Sequence, residues 1–190
     1  NRFQAYPSAR WRNRAVSDSF EPGSIFKIFT AAAALQERVV DPDEVIDCGQ
    51  GFVEIAGVRI NDHNVFDQLR FREVMAKSSD VGVVRVAQRL GRENFNGYVR
   101  RFGFGAPTGV DLPGETGGLL RPTPRWSALS LASLSFGQEI GVTALQLASA
   151  VSAVANGGEL MRPTIVRRVE DREGNVIKSW HPVAVRRVLE

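Results

Sequence analysis

The sequence feature that most constrains the fold is an almost uninterrupted apolar segment at residues 24–36, which reads SIFKIFTAAAALQ. Its four consecutive alanines are the strongest helix formers, and apolar residues fall on nearly every face of the helix they predict. Pro22 and Gly23 supply a sharp entry to that helix. We therefore expect a buried central helix that begins close to Ser24.

The rest of the chain alternates helical and hairpin patterns. Helices are predicted at residues 71–77, 81–90, 93–102, 126–136 and 143–155, and hairpins at residues 52–62 and 164–180. Residues 103–118 are rich in glycine and proline and predict an irregular, exposed loop. With helices dominant and strands few and short, the 190 residues predict one compact α+β unit with a helical body.

Composition argues against several kinds of site. The net charge of +3 comes from scattered arginines without a block of like charges, so nucleic acid is not an expected partner. The single cysteine, Cys48, excludes an internal disulfide, and with only His63 and His181 a zinc site is not expected. No stretch approaches the roughly 18–20 apolar residues of a membrane span. We expect neither a metal nor a cofactor.

Lys27 is the only charged side chain within residues 24–36. Burying an unpaired ammonium is costly, so a lysine in such a helix loses its proton more readily and becomes a base. Ser24 lies one helical turn away, near the free backbone amides at the start of the helix. A serine with a neighbouring base has the two parts that covalent acyl transfer requires. The alternative is that Lys27 extends to solvent while Ser24 only caps the helix.

A second candidate motif, Ser78-Ser79-Asp80, lies between two predicted helices. A hydroxyl and an acceptor two positions apart at such a junction can face one cleft. Ser78 would then relay a proton, and Asp80 would hold the Lys27 amine. The alternative is that Ser79 or Asp80 is simply the N-cap of the helix that follows.

Several long segments together resemble class B penicillin-binding proteins. They read RNRAVSDSFEPGSIFKIFTAAAAL, REVMAKSSDVGVVRVAQRLG, FGFGAPTGVDLPGE and SFGQEIGVTALQLASAVSAVANGGELMRPTIV, and they cover nearly the whole chain. In that family the serine and lysine of S-x-x-K are nucleophile and base, and an S-x-N motif follows. The resemblance implies that Ser24 is acylated, that Lys27 takes its proton, and that Ser78 shuttles the proton toward the leaving amine.

The resemblance also implies an activity and a setting. Members of the family are peptidoglycan D,D-transpeptidases, which cross-link stem peptides through an acyl-serine intermediate and are acylated by β-lactams. They work on the outer face of the bacterial cytoplasmic membrane, and their membrane anchor would lie outside this chain. Partners in the division or elongation machinery are implied as well. The choice among septation, elongation and sporulation stays open.

The sequence departs from the family pattern at two points. Asp80 stands where the family has Asn, so the amide donor is lost, and an ionised carboxylate would favour the charged form of Lys27. The second departure is that no K-T-G motif, which the family carries on a strand of its main sheet, occurs in the chain. We therefore expect residues 1–190 to form part of the transpeptidase domain, with its central antiparallel sheet incomplete and its activity in isolation in doubt.

Two other functions are compatible with these residues. A serine β-lactamase or β-lactam sensor shares the motifs, although the segment GVTALQLASAVSAVANGG is more similar to the cell-wall enzymes. A non-catalytic scaffold of the division or elongation machinery is favoured by Asp80. The intact pair of Ser24 and Lys27 counts against the scaffold, because a scaffold has no physical need for a lysine in so apolar a helix.

Overall fold

A computed structural model of the chain describes residues 5–7 and 10–190. The helices are α1 (Arg14–Ser17), α2 (Lys27–Gln36), α3 (Phe71–Ala76), α4 (Asp80–Leu90), α5 (Arg92–Arg101), α6 (Ser130–Ser135) and α7 (Ala144–Ala155), with 3-10 turns at Gly23–Phe26, Gly49–Gly51 and Thr123–Arg125. The strands are β1 (Val45–Asp47), β2 (Phe52–Ile55), β3 (Val58–Asn61), β4 (Gln68–Arg70), β5 (Glu159–Met161), β6 (Arg168–Glu170), β7 (Val176–Ser179) and β8 (Ala184–Arg187). The predicted α+β architecture with a helical body is confirmed.

The strands of the described residues pair only in twos. The four antiparallel sheets are β1–β4, β2–β3, β5–β8 and β6–β7. That the central sheet of the domain is incomplete stays a prediction. Within the described residues, no helix is both long enough and apolar enough to cross a membrane.

Helix α2 is the buried central helix that its composition predicts. It packs against α4 and α5 and is shared by two hydrophobic clusters. Phe29 and Ala33 belong to a cluster rich in aromatic rings, whereas Ala31 and Ala34 belong to a second cluster with α3, α4 and β1. Small alanine side chains let neighbouring elements approach the helix closely on both sides.

Most predicted helix boundaries are confirmed to within a residue or two. Ser79 is the N-cap of α4, and its hydroxyl accepts a hydrogen bond from the Gly82 N–H at 2.9 Å. The alternative that Ser79 caps this helix is therefore confirmed. Thr143 caps α7 in a capping box with Gln146, as the pattern of a threonine and a glutamine three residues later predicts. The hairpin at residues 52–62 turns through Ala56 and Gly57, both with positive φ.

The predicted helix at residues 126–136 was wrong over its first half, because α6 begins only at Ser130. The Ser127 N–H donates to the Ser130 hydroxyl at 3.0 Å, and the Leu129 N–H donates to the Ser127 hydroxyl at 3.2 Å. Serine hydroxyls that satisfy nearby amides in this way compete with the helical pattern. The prediction of an exposed loop at residues 103–118 was also wrong in part, since Phe104 and Val110 are buried.

Two of the four strand pairings were not predicted from the sequence. Strand β1 pairs with β4, and β5 pairs with β8 in a register that shifts between Leu160 and Met161. The predicted hairpin at residues 164–180 is present as β6–β7, although its strands are shorter. Both missed pairs join strands of three or four residues that are far apart in sequence, where a period-2 pattern carries little signal.

Candidate active site

Ser24 lies in the 3-10 turn Gly23–Phe26, immediately before α2. Its side chain is exposed, whereas Phe26 is completely buried. Gly23 has φ +58°, in the left-handed region that glycine adopts without strain. The turn therefore presents the Ser24 hydroxyl at the surface while anchoring its other side in the core.

The chain that leads into Ser24 is held by residues 137–142. Phe20 and Val142 form a reciprocal pair of backbone hydrogen bonds of 3.0 and 2.9 Å, and the Gly23 N–H donates to the Gly137 carbonyl at 3.1 Å. Gly137 has φ +83°, and a Cβ added there would lie 2.2 Å from the Gly23 carbonyl oxygen. Only glycine allows this close approach, so Gly137 fixes the position of the turn that carries Ser24.

Lys27 is the first residue of α2, and its side chain is only 2% exposed. Its Nζ lies 2.6 Å from Asp80 Oδ1, 2.9 Å from the Ser78 hydroxyl oxygen and 2.5 Å from the Ser78 carbonyl oxygen. An ammonium has three N–H donors, and these three acceptors satisfy all of them. A buried charge with a complete set of partners is the condition under which a lysine can remain inside a protein.

Ser78 is held in a conformation that serine rarely adopts. Helix α3 ends in a Schellman motif, in which the Ser79 N–H donates to Val74 O at 2.9 Å and the Ser78 N–H donates to Met75 O at 3.2 Å. Ser78 occupies the position of that motif where glycine is usual, and its φ is +55°. The strain is retained where the side chain contacts Lys27, as is common at functional sites.

The structure thus brings together three of the four predicted site residues: Lys27, Ser78 and Asp80. Ser24 is adjacent through the backbone, since the Lys27 N–H bonds to its carbonyl oxygen, but within the described residues the Ser24 hydroxyl makes no hydrogen bond. Contact between that hydroxyl and the lysine amine stays a prediction. Catalytic hydrogen bonds are often absent before substrate binds and form only in the complex.

Sequence reasoning missed Asp62, which lies directly behind the Ser78-Ser79-Asp80 motif. Its carboxylate accepts hydrogen bonds from the Ser79 hydroxyl at 2.6 Å and from the Val81 N–H at 3.0 Å. Cys48 packs against the same serine, with its Sγ 3.8 Å from Ser79 Oγ, and burial raises the pKa of its thiol. No local pattern in the sequence connects Asp62 with the motif, because a hairpin end and a helix start meet here only through the fold.

An exposed serine that precedes a buried, fully hydrogen-bonded lysine by one turn is typical of serine enzymes in which lysine is the base. The family model of the penicillin binding protein transpeptidase domain matches residues 1–189. The chain therefore belongs to the penicillin-binding protein transpeptidase family, as its segments indicate.

Individual relatives agree with that assignment. The chain is 40% identical over 177 residues to penicillin-binding protein PbpB of Mycolicibacterium smegmatis, a match that covers 92% of the chain and 27% of that protein. It is 38% identical over 186 residues to stage V sporulation protein D of Bacillus subtilis, covering 96% of the chain and 29% of that protein. The chain thus spans less than a third of the length of either relative.

A solved structure matches the fold as well. Penicillin-binding protein 3 from Mycobacterium tuberculosis, complexed with aztreonam, is 34% identical and superimposes with a TM-score of 0.85. The match covers 97% of this chain and 42% of that one. At this level of identity and coverage, the helical body and its short antiparallel sheets have the arrangement found in that protein.

Proposed function

We propose that this chain carries the acyl-transfer site of a peptidoglycan D,D-transpeptidase that cross-links stem peptides and is acylated by β-lactams. The observation that carries the proposal is the placement of Lys27. Its side chain is only 2% exposed, its amine contacts Ser78 and Asp80, and it lies one turn from the exposed Ser24. Membership in the family and the aztreonam complex of a relative support the same substrate class.

In the first half of the proposed reaction, Ser24 Oγ attacks the carbonyl carbon of the penultimate D-alanine while its proton passes to Lys27 Nζ. The C–N bond to the terminal D-alanine then breaks, and the leaving nitrogen receives a proton through the Ser78 hydroxyl. The product is an acyl ester on Ser24 and free D-alanine. A lysine that accepts this proton starts as a neutral amine, with two N–H donors and one lone pair.

The surroundings of Lys27 are compatible with that neutral form. Its two N–H groups can donate to the Ser78 carbonyl and to Asp80, while its lone pair can accept from the Ser78 hydroxyl. When substrate binds, the same lone pair would accept from the Ser24 hydroxyl. Because a hydroxyl rotates and both donates and accepts, Ser78 serves the charged and the neutral amine without moving its backbone. In the second half, an amine of a neighbouring stem attacks the ester, its proton passes to Lys27, and Ser24 regains a proton as the C–O bond breaks.

The ion pair between Lys27 and Asp80 is the observation that favours a second candidate, a non-catalytic scaffold. An ionised carboxylate 2.6 Å from the amine stabilises the ammonium, which is not a base. A scaffold needs only the packed fold, and this pair satisfies the buried charge. We place the scaffold second because a scaffold has no physical need for a lysine in so apolar a helix, one turn from an exposed serine.

We also propose that the protein works on the outer face of the bacterial cytoplasmic membrane, alongside proteins of division or elongation. The support is the substrate, since peptidoglycan stem peptides are cross-linked outside that membrane. We infer that residues 1–190 form only part of the catalytic domain. This last inference rests on the missing K-T-G motif.

The test is intact-mass analysis after incubation with a fluorescent penicillin, carried out on this chain and on the full product of its gene. We expect one covalent adduct on the full product, and its loss in a Ser24→Ala variant with an unchanged thermal unfolding curve. Adduct that disappears again within minutes would indicate a β-lactamase instead. A folded full product without adduct would leave the scaffold as the better account.

A further inference from the structure

Asp62 follows strand β3 and joins the β2–β3 hairpin to the start of helix α4. Its backbone N–H donates to the Gly51 carbonyl at 2.9 Å, which ties the residue to the hairpin. Its two carboxylate oxygens take the Ser79 hydroxyl at 2.6 Å and the Val81 N–H at 3.0 Å. A single side chain therefore binds the residues on either side of Asp80.

These contacts are strong ones for their kind. A carboxylate that accepts from a hydroxyl and a backbone amide makes charge-assisted hydrogen bonds, which are roughly twice as strong as neutral ones. The carboxylate also lies at the N-terminus of α4, where the helix dipole favours negative charge. Ser79 is 1% exposed, so without Asp62 its hydroxyl would lose an acceptor in a place that water does not reach.

The turn that Asp62 holds supplies all three hydrogen-bond acceptors of Lys27 Nζ described above. Ser78 precedes Ser79 directly, and Asp80 follows it, so a rotation of Ser79 moves both neighbours. Ser78 is also under strain at φ +55°, and a strained residue keeps its conformation only where its surroundings hold it. The Schellman hydrogen bonds hold this turn from the side of α3, and the Asp62 carboxylate holds it from the side of α4.

We propose that Asp62 is a positioning residue for the base Lys27. It fixes the Ser79–Val81 segment and thereby keeps Ser78 and Asp80 around the lysine amine. The proposal deepens the proposed function and rests on it, because the role of Lys27 as a base is part of that function. The effect of Asp62 on the surroundings of Lys27 Nζ can be measured without any substrate.

The first measurement is NMR on the full gene product labelled with ¹⁵N-lysine. The chain has three lysines, Lys27, Lys77 and Lys178, and a Lys27→Arg variant assigns the signal of interest. In the wild type, we expect the Lys27 Nζ protons to exchange slowly with water because the amine is buried and has three acceptors. Asp62→Ala should speed this exchange by at least about tenfold, since opening of the turn exposes the amine.

The matched control is Asp47→Ala. Asp47 Oδ1 also accepts a hydrogen bond from a backbone amide beside this hairpin, that of Gly49 at 2.8 Å, but Gly49 belongs to a 3-10 turn and not to α4. This variant should leave the Lys27 signal unchanged. Asp62→Asn is the second variant: its amide oxygen can still accept from Val81, but its NH₂ cannot accept from the Ser79 hydroxyl, so an intermediate exchange rate is expected.

The second measurement is the rate of penicillin acylation of the full gene product. Asp62→Ala should lower the acylation rate constant by about tenfold or more. The dissociation constant for the penicillin should stay near its wild-type value. The two readouts separate the two ideas. A Lys27 signal that responds to Asp62 in a protein without adduct would keep the positioning and overturn the proposed function. Adduct on Ser24, with neither the Lys27 signal nor the acylation rate changed in Asp62→Ala, would overturn the positioning and leave the function standing.

Discussion

Replacing Gly137 with alanine should displace the turn that carries Ser24. Gly137 has φ +83°, and its carbonyl accepts the Gly23 N–H at 3.1 Å. A Cβ at this position would lie 2.2 Å from the Gly23 carbonyl oxygen and 2.7 Å from the Gly23 nitrogen. Real Cβ atoms essentially never come this close to backbone atoms, so the two segments have to move apart.

The expected cost has three contributions. An alanine in the left-handed region costs about 1–2 kcal/mol relative to its favoured conformations. Loss of the hydrogen bond between Gly23 and Gly137 costs about 1 kcal/mol. Overpacking of this kind costs typically about 1–3 kcal/mol more. The free energy of unfolding should therefore fall by about 3–6 kcal/mol, which for a chain of this size lowers the melting temperature by roughly 6–24 °C.

Gly174→Ala is the control that separates backbone strain from the clash. Gly174 has φ +86°, but a Cβ there would meet open space, so only the cost of about 1–2 kcal/mol is expected. Urea unfolding of both variants gives the difference, and penicillin acylation of the full gene product shows whether Ser24 has moved. Equal losses of stability, together with a wild-type acylation rate in Gly137→Ala, would refute this reasoning.

Three further predictions concern single side chains. Asp80→Asn should raise the acylation rate by about tenfold, because the Lys27 amine keeps an oxygen acceptor but loses the negative charge that favours its protonated form; a lower rate in stopped-flow acylation would contradict this. Ser78→Gly should be about 1 kcal/mol more stable than Ser78→Ala in urea unfolding, since glycine adopts φ +55° without strain, and the opposite order would contradict the Schellman assignment. Burial and then the hydrogen bond to Glu37 raise the pKa of Tyr98 to about 12. The stability that this tyrosine contributes is therefore complete below about pH 10 and is lost as the pH rises through 12. Tyr98→Phe should flatten the alkaline decline in the free energy of unfolding, and an unchanged decline would contradict this.

Much of the helical body could be predicted because its signals are local. Four alanines beside buried phenylalanines predict α2, and the spacing of Thr143 and Gln146 predicts the start of α7. The same locality explains the error at residues 126–136. There the apolar pattern is helical, but hydroxyls of Ser127 and Ser130 bind amides of the same segment and delay the helix.

The candidate site was predictable only in its residue types. Lys27 was indicated by the S-x-x-K spacing in an apolar helix, and Asp80 by a hydroxyl and a carboxylate at a helix junction. The distance of 2.6 Å between Lys27 Nζ and Asp80 Oδ1, however, depends on how α2 packs against α4. The contribution of Asp62 depends on a hairpin reaching that junction, and the contribution of Gly137 on a backbone approach to Gly23. Such contacts between distant segments leave no periodic trace in a single sequence.

Helix α2 borders two hydrophobic clusters at once, with Phe29 facing one and Ala34 the other. A local opening of one cluster leaves the other packed on the helix, so the amide protons of α2 should exchange with deuterium only when the whole unit opens. The amine of Lys27 is covered instead by the turn that contains Ser78 and Asp80, so it can become exposed while the helix stays closed. Water would then reach the proposed base through movement of that turn and not through opening of the core, so exchange at the amine and exchange along α2 should report two separate motions.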